Sequence, residues 1–504
     1  MHDTLRELAV ADPLRPRYHF TSPAGWLNDP NGTCQRGGVF HLFYQYNPES
    51  PQHRAIQWGH ATSIDLVRWE DRPIALAPSE GPDAEGCWSG VLVDDGGLPV
   101  IVYSGHADSR QTACLAYGDE TLTTWTKEPG NPVLERPEGV DVTEFRDHAV
   151  WREGGAWRQI IGSGIRGEGG TAFLYSSDDL KEWSLIGPLA VGDAAGLPDD
   201  DPLWTGTMWE CIDFFRLRAD GSTAAPDGES GETHVLIFSA WDDGRTMHPL
   251  AATGSYDGRT LSIERTQRLD LGGRHAYAPQ TFVDEAGRRI LWSWMQEARS
   301  DAAMIEAGWS GAMALPRTLA LDESGTIRQR PVAELEGARG ARLAWTEGEK
   351  GAISRGMRTE LAFDARIPDG SGVEVDLFAS DDGSERTTLR LGRDAAGDVT
   401  IELDRSASSL GEGLDTSTHA GVAPGAGETV EVRAFLDGSS LEVFVDGIAT
   451  TTRVYPTRVD ADGIRVDARG SAVVVNLEGW EMLDQEQPAR EMRPGANEGD
   501  GHER

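Results

Sequence analysis

Apolar and polar residues alternate along this chain in short runs rather than in helical periods. His41–Gln45, Val100–Ser104, Val235–Ser239 and Arg289–Ser293 each have strand length and are bounded by Gly, Asp, Asn or Pro. Such alternation sends every other side chain to one face of a sheet. Long runs at helical spacing are scarce, and only the first dozen residues predict a short helix. The pattern predicts an all-β protein.

A weak internal repeat organises these runs. Ser63-Ile64-Asp65-Leu66-Val67-Arg68-Trp69 recurs as Ser177-Asp178-Asp179-Leu180-Lys181-Glu182-Trp183, with a looser copy at Glu120-Thr121-Leu122-Thr123-Thr124-Trp125. The tryptophans lie 56 and then 58 residues apart. Chance punctuation of hairpins would also produce one such motif, but three copies at near-equal spacing suggest propeller blades. About five blades of this length fill residues 1–335, giving a five-bladed β-propeller. A Gly/Ala/Arg/Glu-rich stretch at 336–355 reads as a linker. From 356 to 485 a second set of alternating runs, with turns at Asp437-Gly438 and Asp446-Gly447, fits a C-terminal β-sandwich. The charged segment 486–504 holds few apolar residues and is expected to be a disordered tail.

Composition narrows the function. The 504 residues carry 83 acidic and 46 basic side chains, a formal net charge of −37. A surface this acidic repels phosphate backbones, which argues against nucleic acid and for a small neutral substrate. The four cysteines form no CxxC motif and read as reduced thiols, with long-range disulfides as the alternative. No basic-flanked apolar leader opens the sequence, so the expected location is cytoplasmic, although a secreted protein stripped of its leader would read the same way. No run approaches the length of a membrane helix.

Three acidic motifs carry the candidate chemistry. Trp26-Leu27-Asn28-Asp29-Pro30-Asn31-Gly32 sets a carboxylate beside an amide and a tryptophan. Phe145-Arg146-Asp147-His148 pairs a carboxylate with a guanidinium. In Trp209-Glu210-Cys211-Ile212 a glutamate enters an apolar run, where its charged form would be disfavoured. Alone, the first reads equally well as a polar turn, and the other two read better as a surface pair and a solvated acid. Together, on successive blades converging on one funnel, they supply the paired carboxyl groups that glycoside hydrolysis needs.

These motifs resemble those of glycoside hydrolase family 32, the β-fructofuranosidases, and the likeness runs from about Tyr18 to Leu483. The resemblance implies a five-bladed propeller followed by a β-sandwich. It implies Asp29 as nucleophile, Glu210 as acid/base and Asp147 as transition-state stabiliser, with Arg146 holding charge beside it. It further implies that Asn28, Gln45 and Ser89 hydrogen-bond a fructosyl ring between the walls of Trp26 and Trp88, with His53 and Tyr277 as further substrate contacts. No metal or organic cofactor is implied, and the expected partner is a small sugar such as sucrose or a fructo-oligosaccharide. The sandwich domain offers a surface for a homodimer.

Four positions depart from the family pattern: His148 and Ile212 stand where proline is expected, His53 where tryptophan is, and His275-Ala276 where Asp-Phe precedes Tyr277-Ala278. Substrate choice or pH profile is expected to differ if His53 and His148 act on the pocket, and neutral packing of both is the competing account. The reading is a retaining exo-β-fructosidase. A fructosyltransferase, a fructoside-binding protein without turnover and an inverting pentosidase are the alternatives.

Overall fold

The computed structural model describes residues 2–218, 233–348 and 351–483. The tail expected at 486–504 lies outside them. Up to Pro331 the chain forms five antiparallel sheets. Their first strands are Gly25–Arg36, Gly86–Asp95, Val142–Glu153, Met208–Leu217 and Tyr277–Val283. Each of these touches the next, and the last touches the first, so the five sheets stand around a closed ring. Ring closure is reinforced where Trp309-Ser310, which follows the fifth sheet's second strand, pairs in parallel with Gly25-Trp26 of the first sheet. This is a β-propeller.

Apolar residues cement each pair of neighbouring sheets. Phe43 and Trp58 meet Ile101 and Tyr103; Val100 and Val102 meet Trp157. Ile160 and Leu174 meet Trp209 and Phe238. Phe215 and Val235 meet Leu291 and Leu319. Leu27 and Leu42 meet Ile290 and Trp292. The alternation in the sequence is the signature of these sheet-to-sheet faces.

The weak repeat is a structural unit. In the first three sheets it forms the turn between third and fourth strands, where Leu66, Leu122 and Leu180 adopt left-handed φ of 58°, 57° and 67°. In each case the indole of the tryptophan three residues on donates to that leucine's carbonyl, at 3.3, 3.1 and 2.8 Å. A non-glycine residue there costs free energy that the indole bond and leucine burial offset. The fourth sheet makes the same turn with Asp257-Gly258, where glycine accepts a φ of 90° without help.

After residue 331 the chain builds two packed sheets. One has six strands, with Arg358–Arg366, Thr429–Asp437 and Ser440–Val445 at its centre; the other has seven, including Gly372–Ala379 and Gly463–Arg469. Leu361, Phe363, Val432 and Val443 of the first pack on Val375, Leu389, Ile401 and Val466 of the second. The stretch read as a linker is built into these sheets. Arg339–Arg342 pairs with the strand ending at Met482, and Gly351–Arg355 pairs with Gly463–Arg469. Its arginines look loop-like in sequence, yet Arg339 binds the buried Glu360 through two nitrogens and lies over Trp480.

Propeller and sandwich are joined by buried charge. His19 bridges Asp437 and Glu442, and Arg317 bridges Asp270 and Glu442. The predicted N-terminal helix is present at His2–Ala11 and packs against the helix Asp301–Ala307.

Candidate active site

Each of the five inner strands carries an irregularity at the same level. In the first sheet, Asn28 and Asp29 together oppose Gln45; in the second, Trp88 and Ser89 together oppose Ser104. Asp147 is the extra residue of the third, Cys211 and Ile212 of the fourth, Ala278 and Pro279 of the fifth. A regular strand sends adjacent side chains to opposite faces, whereas a bulge lets both turn inward. The bulges therefore place the pairs Asn28-Asp29, Trp88-Ser89 and Arg146-Asp147 on one cavity wall. Three of the bulged residues, Asp147, Cys211 and Ala278, are held at positive φ (64°, 48° and 52°), strain of the kind that collects at functional sites. Gly162 makes room for the third bulge, because a Cβ there would lie 2.3 Å from the Trp209 carbonyl oxygen.

The cavity so formed has a volume of about 410 Å³ and lies at the centre of the ring. Three carboxylates and one guanidinium occupy its floor. Asp29 Oδ2 accepts from Ser89 Oγ (2.5 Å) and from Cys211 Sγ (3.3 Å), while Asn28 Nδ2 donates to Oδ1 (3.0 Å). Asp147 Oδ2 accepts from the Cys211 backbone N–H (2.8 Å), so one residue touches both aspartates. Glu210 Oε1 accepts from Arg146 Nη2 (2.7 Å) and Nε (3.1 Å), and its Oε2 accepts from the Tyr277 hydroxyl (2.6 Å). Arg146 also reaches Glu144 (2.6 Å).

The sequence suggested apolar surroundings for Glu210. The bulge at Cys211-Ile212 instead breaks the alternation, so that Ile212 and Phe214 are buried between sheets while Glu210 turns into the polar cavity.

One arginine serves all these acids, and the electrostatics follow. Burial raises the pKa of Asp29, opposed by the Ser89 hydrogen bond and aided by the charge of Glu210. Burial pushes Asp147 up to about 7; Arg146 opposes the rise, and Glu210 and Asp29 add to it. For Arg146 burial disfavours the charge, but Glu210, Asp147 and Glu144 outweigh it and its pKa is raised.

Aromatic rings wall the cavity. Trp26 is anchored by its indole N–H to Asn28 Oδ1 (2.6 Å), and Trp88 stacks on His106 with centroids 4.1 Å apart. His53 stands edge-on between Trp26 and Trp88, 5.8 Å from each. Gln45, buried beneath them, donates to the Cys87 carbonyl (3.2 Å). Every site residue proposed from the sequence, Tyr277 included, lines this one cavity.

Comparison with known proteins agrees with this geometry. Residues 19–331 match the glycosyl hydrolases family 32 N-terminal domain and residues 329–481 the family's C-terminal domain. The chain belongs to glycosyl hydrolase family 32. It is 33% identical to an insoluble-isoenzyme β-fructofuranosidase of Arabidopsis thaliana over 88% of this chain and 84% of that protein. It is 31% identical to the sucrose-6-phosphate hydrolase of Escherichia coli over 93% of this chain and 94% of that one. Among solved structures, fructan 1-exohydrolase IIa from Cichorium intybus superposes with a TM-score of 0.81 at 27% identity, covering 94% of this chain and 98% of that one.

The departures from the family 32 pattern have separate structural outcomes. His53 is a pocket wall. His148 is not: it lies under Asp147, shares a hydrogen bond with Ser104 (3.0 Å), and burial pulls its pKa down to about 3, so it is neutral packing. Ser104 Oγ in turn accepts the Asp147 backbone N–H (2.9 Å). Ile212 fills the core between the third and fourth sheets. His275 turns away from the cavity and reaches Asp415 of the sandwich (3.1 Å).

Sequence reasoning missed five lining residues: Trp241, Gly244, Thr246, Trp294 and Gln296. Trp241 lies under the Arg146 guanidinium at 5.2 Å. The signal for Trp294 and Gln296 was the spacing Trp292-x-Trp294-x-Gln296, whose alternation runs past the core and out to the cavity.

Proposed function

We propose that this chain is a retaining exo-β-fructosidase that releases terminal β-D-fructofuranosyl units from sucrose or fructo-oligosaccharides. The observation that carries the reading is the meeting of Asp29, Asp147, Glu210 and Arg146 on the floor of one aromatic-walled cavity in a family 32 chain. Support also comes from the relatives, which are β-fructofuranosidases and fructan exohydrolases, one of them solved with 1-kestose.

In this mechanism Asp29 Oδ2, aimed by Ser89, attacks the anomeric carbon of fructose. Glu210 protonates the glycosidic oxygen as that bond breaks, and the leaving sugar departs with the proton. Glu210, now a carboxylate steadied by Arg146 and Tyr277, takes a proton from water. The hydroxide attacks the same carbon and frees Asp29. Asp147 binds fructose hydroxyls and stabilises the oxocarbenium-like transition state. Trp26, Trp88 and His53 bracket the ring, and Asn28 and Gln45 lie within reach of its hydroxyls.

Chromatography of products from sucrose, 1-kestose, inulin and levan tests this, with Glu210→Ala as the blank. The reading expects free fructose from wild type alone, and a β-configured first product. Transfer products in place of fructose would point to a fructosyltransferase. An inverted anomer would overturn the covalent step, and no product from any substrate would overturn the assignment.

A further inference from the structure

A bulge takes its extra residue out of the ladder, so the backbone groups around it need other partners. One side chain serves two of the five bulges at once. Ser104 stands on the second strand of the second sheet, Leu98–Ala107, and is fully buried. Its Oγ donates to the carbonyl of Ser89 (3.2 Å), a bulged residue of its own sheet. The same oxygen accepts the backbone N–H of Asp147 (2.9 Å), the bulged residue of the next sheet. Ser89 in turn holds Asp29 through its own hydroxyl (2.5 Å). Ser104 therefore ties the residue that aims the nucleophile to the backbone of the second aspartate.

His148 completes the arrangement. A hydroxyl has one hydrogen and two lone pairs. With its hydrogen on Ser89 and one lone pair on Asp147, Ser104 keeps a single acceptor site, and His148 Nε2 lies 3.0 Å from the oxygen. The imidazole therefore carries its proton on Nε2 and donates. The other nitrogen agrees with that tautomer. Nδ1 is buried with no hydrogen-bond partner among the described residues, and an N–H there would be left without an acceptor. Burial keeps the ring neutral, its pKa pulled down to about 3. Proline, the residue of the family 32 pattern at this position, has no side-chain donor to offer.

The serine contact recurs two blades on. Ser239, on the second strand of the fourth sheet, accepts the N–H of Ala278, a bulged residue of the fifth (3.1 Å). Asp147 and Ala278 are both non-glycine residues at positive φ (64° and 52°). Such a conformation costs about 1–3 kcal/mol and persists only where the surroundings over-determine it. A serine from the preceding blade does so in both places. At Ala278 the bond holds the backbone beside Tyr277. At Asp147 it holds a carboxylate of the cavity floor, and an imidazole buttresses the serine.

We infer that Ser104 and His148 are a positioning pair that fixes Asp147 relative to Asp29, the imidazole hydrogen bond standing in for the backbone restriction that a proline at 148 would impose. Neither side chain lines the cavity, so both act on the reaction through Asp147 and Ser89. The inference rests on the fructosidase reading and adds the residues that hold its geometry.

The test is kcat and KM for sucrose, measured on folded protein, in wild type, Ser104→Ala, His148→Phe, His148→Gln and the double variant of Ser104→Ala with His148→Phe. Ile160→Val, in the core between the third and fourth sheets, is the control for lost stability. Ser104→Ala should lower kcat by about tenfold, the scale of a buried hydrogen bond left unmade, with KM within about twofold of wild type. His148→Phe keeps a ring but loses the donor, and should lower kcat by about fivefold. His148→Gln offers an N–H at the reach of Nε2 and should recover most of that loss. The double variant should fall no further than Ser104→Ala alone, because both side chains act through one oxygen. Ile160→Val should keep the wild-type kcat. A wild-type kcat in Ser104→Ala overturns the inference. So do equal losses in His148→Phe and His148→Gln, losses that multiply in the double variant, or an equal fall in Ile160→Val. If Ser104→Ala does not fold, the two His148 variants read the same bond. Absence of fructose from the wild type would instead bring down the reading on which the inference stands.

Discussion

Two buried charge networks in this molecule are wired in opposite ways. At the junction of propeller and sandwich, Glu442 lies between His19 and Arg317, and Glu297 between Arg299 and Arg453. Burial alone would raise these carboxylates, but their cationic partners outweigh it and both pKa values are lowered. In the catalytic cavity, Asp29, Asp147 and Glu210 share the single guanidinium of Arg146, and burial wins at both aspartates. The junction has cations enough to keep its acids ionised. The cavity is short of them, and it is there that a fructosidase needs acids able to hold and pass a proton.

The pH dependence of the two networks should therefore run in opposite directions. His19 is raised above 6.5 by Asp437 and Glu442 acting against burial; its contribution is full below 6.5 and is lost as pH rises through its raised pKa. Glu442 and Glu297 contribute above 4.5 and lose that contribution as pH falls through their lowered values. The junction is thus strongest between 4.5 and 6.5. Asp29 and Asp147 do the reverse of the junction carboxylates. Their folded forms hold protons that the unfolded chain releases, so stability drains away as pH climbs from 3.8 through their raised values, about 7 for Asp147.

The largest effect is expected from Asp29→Asn, which should lower kcat/KM for sucrose by on the order of 10⁴-fold. The same variant should unfold at a higher temperature than wild type at neutral pH, because a buried charge is gone. A lower melting temperature would break the contrast. Next comes Arg317→Leu, which leaves Glu442 and Asp270 without their guanidinium and should destabilise the chain by about 3–5 kcal/mol in urea titration. Its pH–rate profile should keep the wild-type shape; a displaced profile would show the networks to be coupled. Ser89→Ala removes the hydrogen bond that holds Asp29 down, so kcat/KM should fall about tenfold and its acid limb should move to higher pH. His19→Gln should cost about 1 kcal/mol at pH 6 and less as pH rises through the raised pKa of the wild-type imidazole.

Much of this was legible in the sequence, for physical reasons that differ by element. The strands announced themselves because alternation is what a sheet packed between neighbours requires, as at Val100–Ser104 and Val235–Ser239. The Asp-Leu-x-x-Trp repeat was visible because left-handed leucines need an indole to cap them. The acidic motifs stood out from their residues, and the family likeness supplied the role of each, but the way their dipeptides face was hidden. Alternation predicts that Asn28 and Asp29, or Arg146 and Asp147, face opposite ways, and the bulges that turn both inward leave no mark in hydropathy. The partners of His275 were hidden because Asp415 is 140 residues away in another domain. Arg339–Arg342 read as linker because its pairing partner, the strand ending at Met482, lies at the far end of the chain.

The contrast is tested most directly by the unfolding free energy of wild type and Asp147→Asn measured from pH 4 to pH 8. With Asp147 titrating near 7 and its unfolded form near 3.8, the variant should gain on wild type steadily across that range, by on the order of a few kcal/mol at pH 8, while losing activity. Parallel curves, or a variant that is the less stable at pH 8, would show that Arg146 suffices for all three acids and would contradict the account.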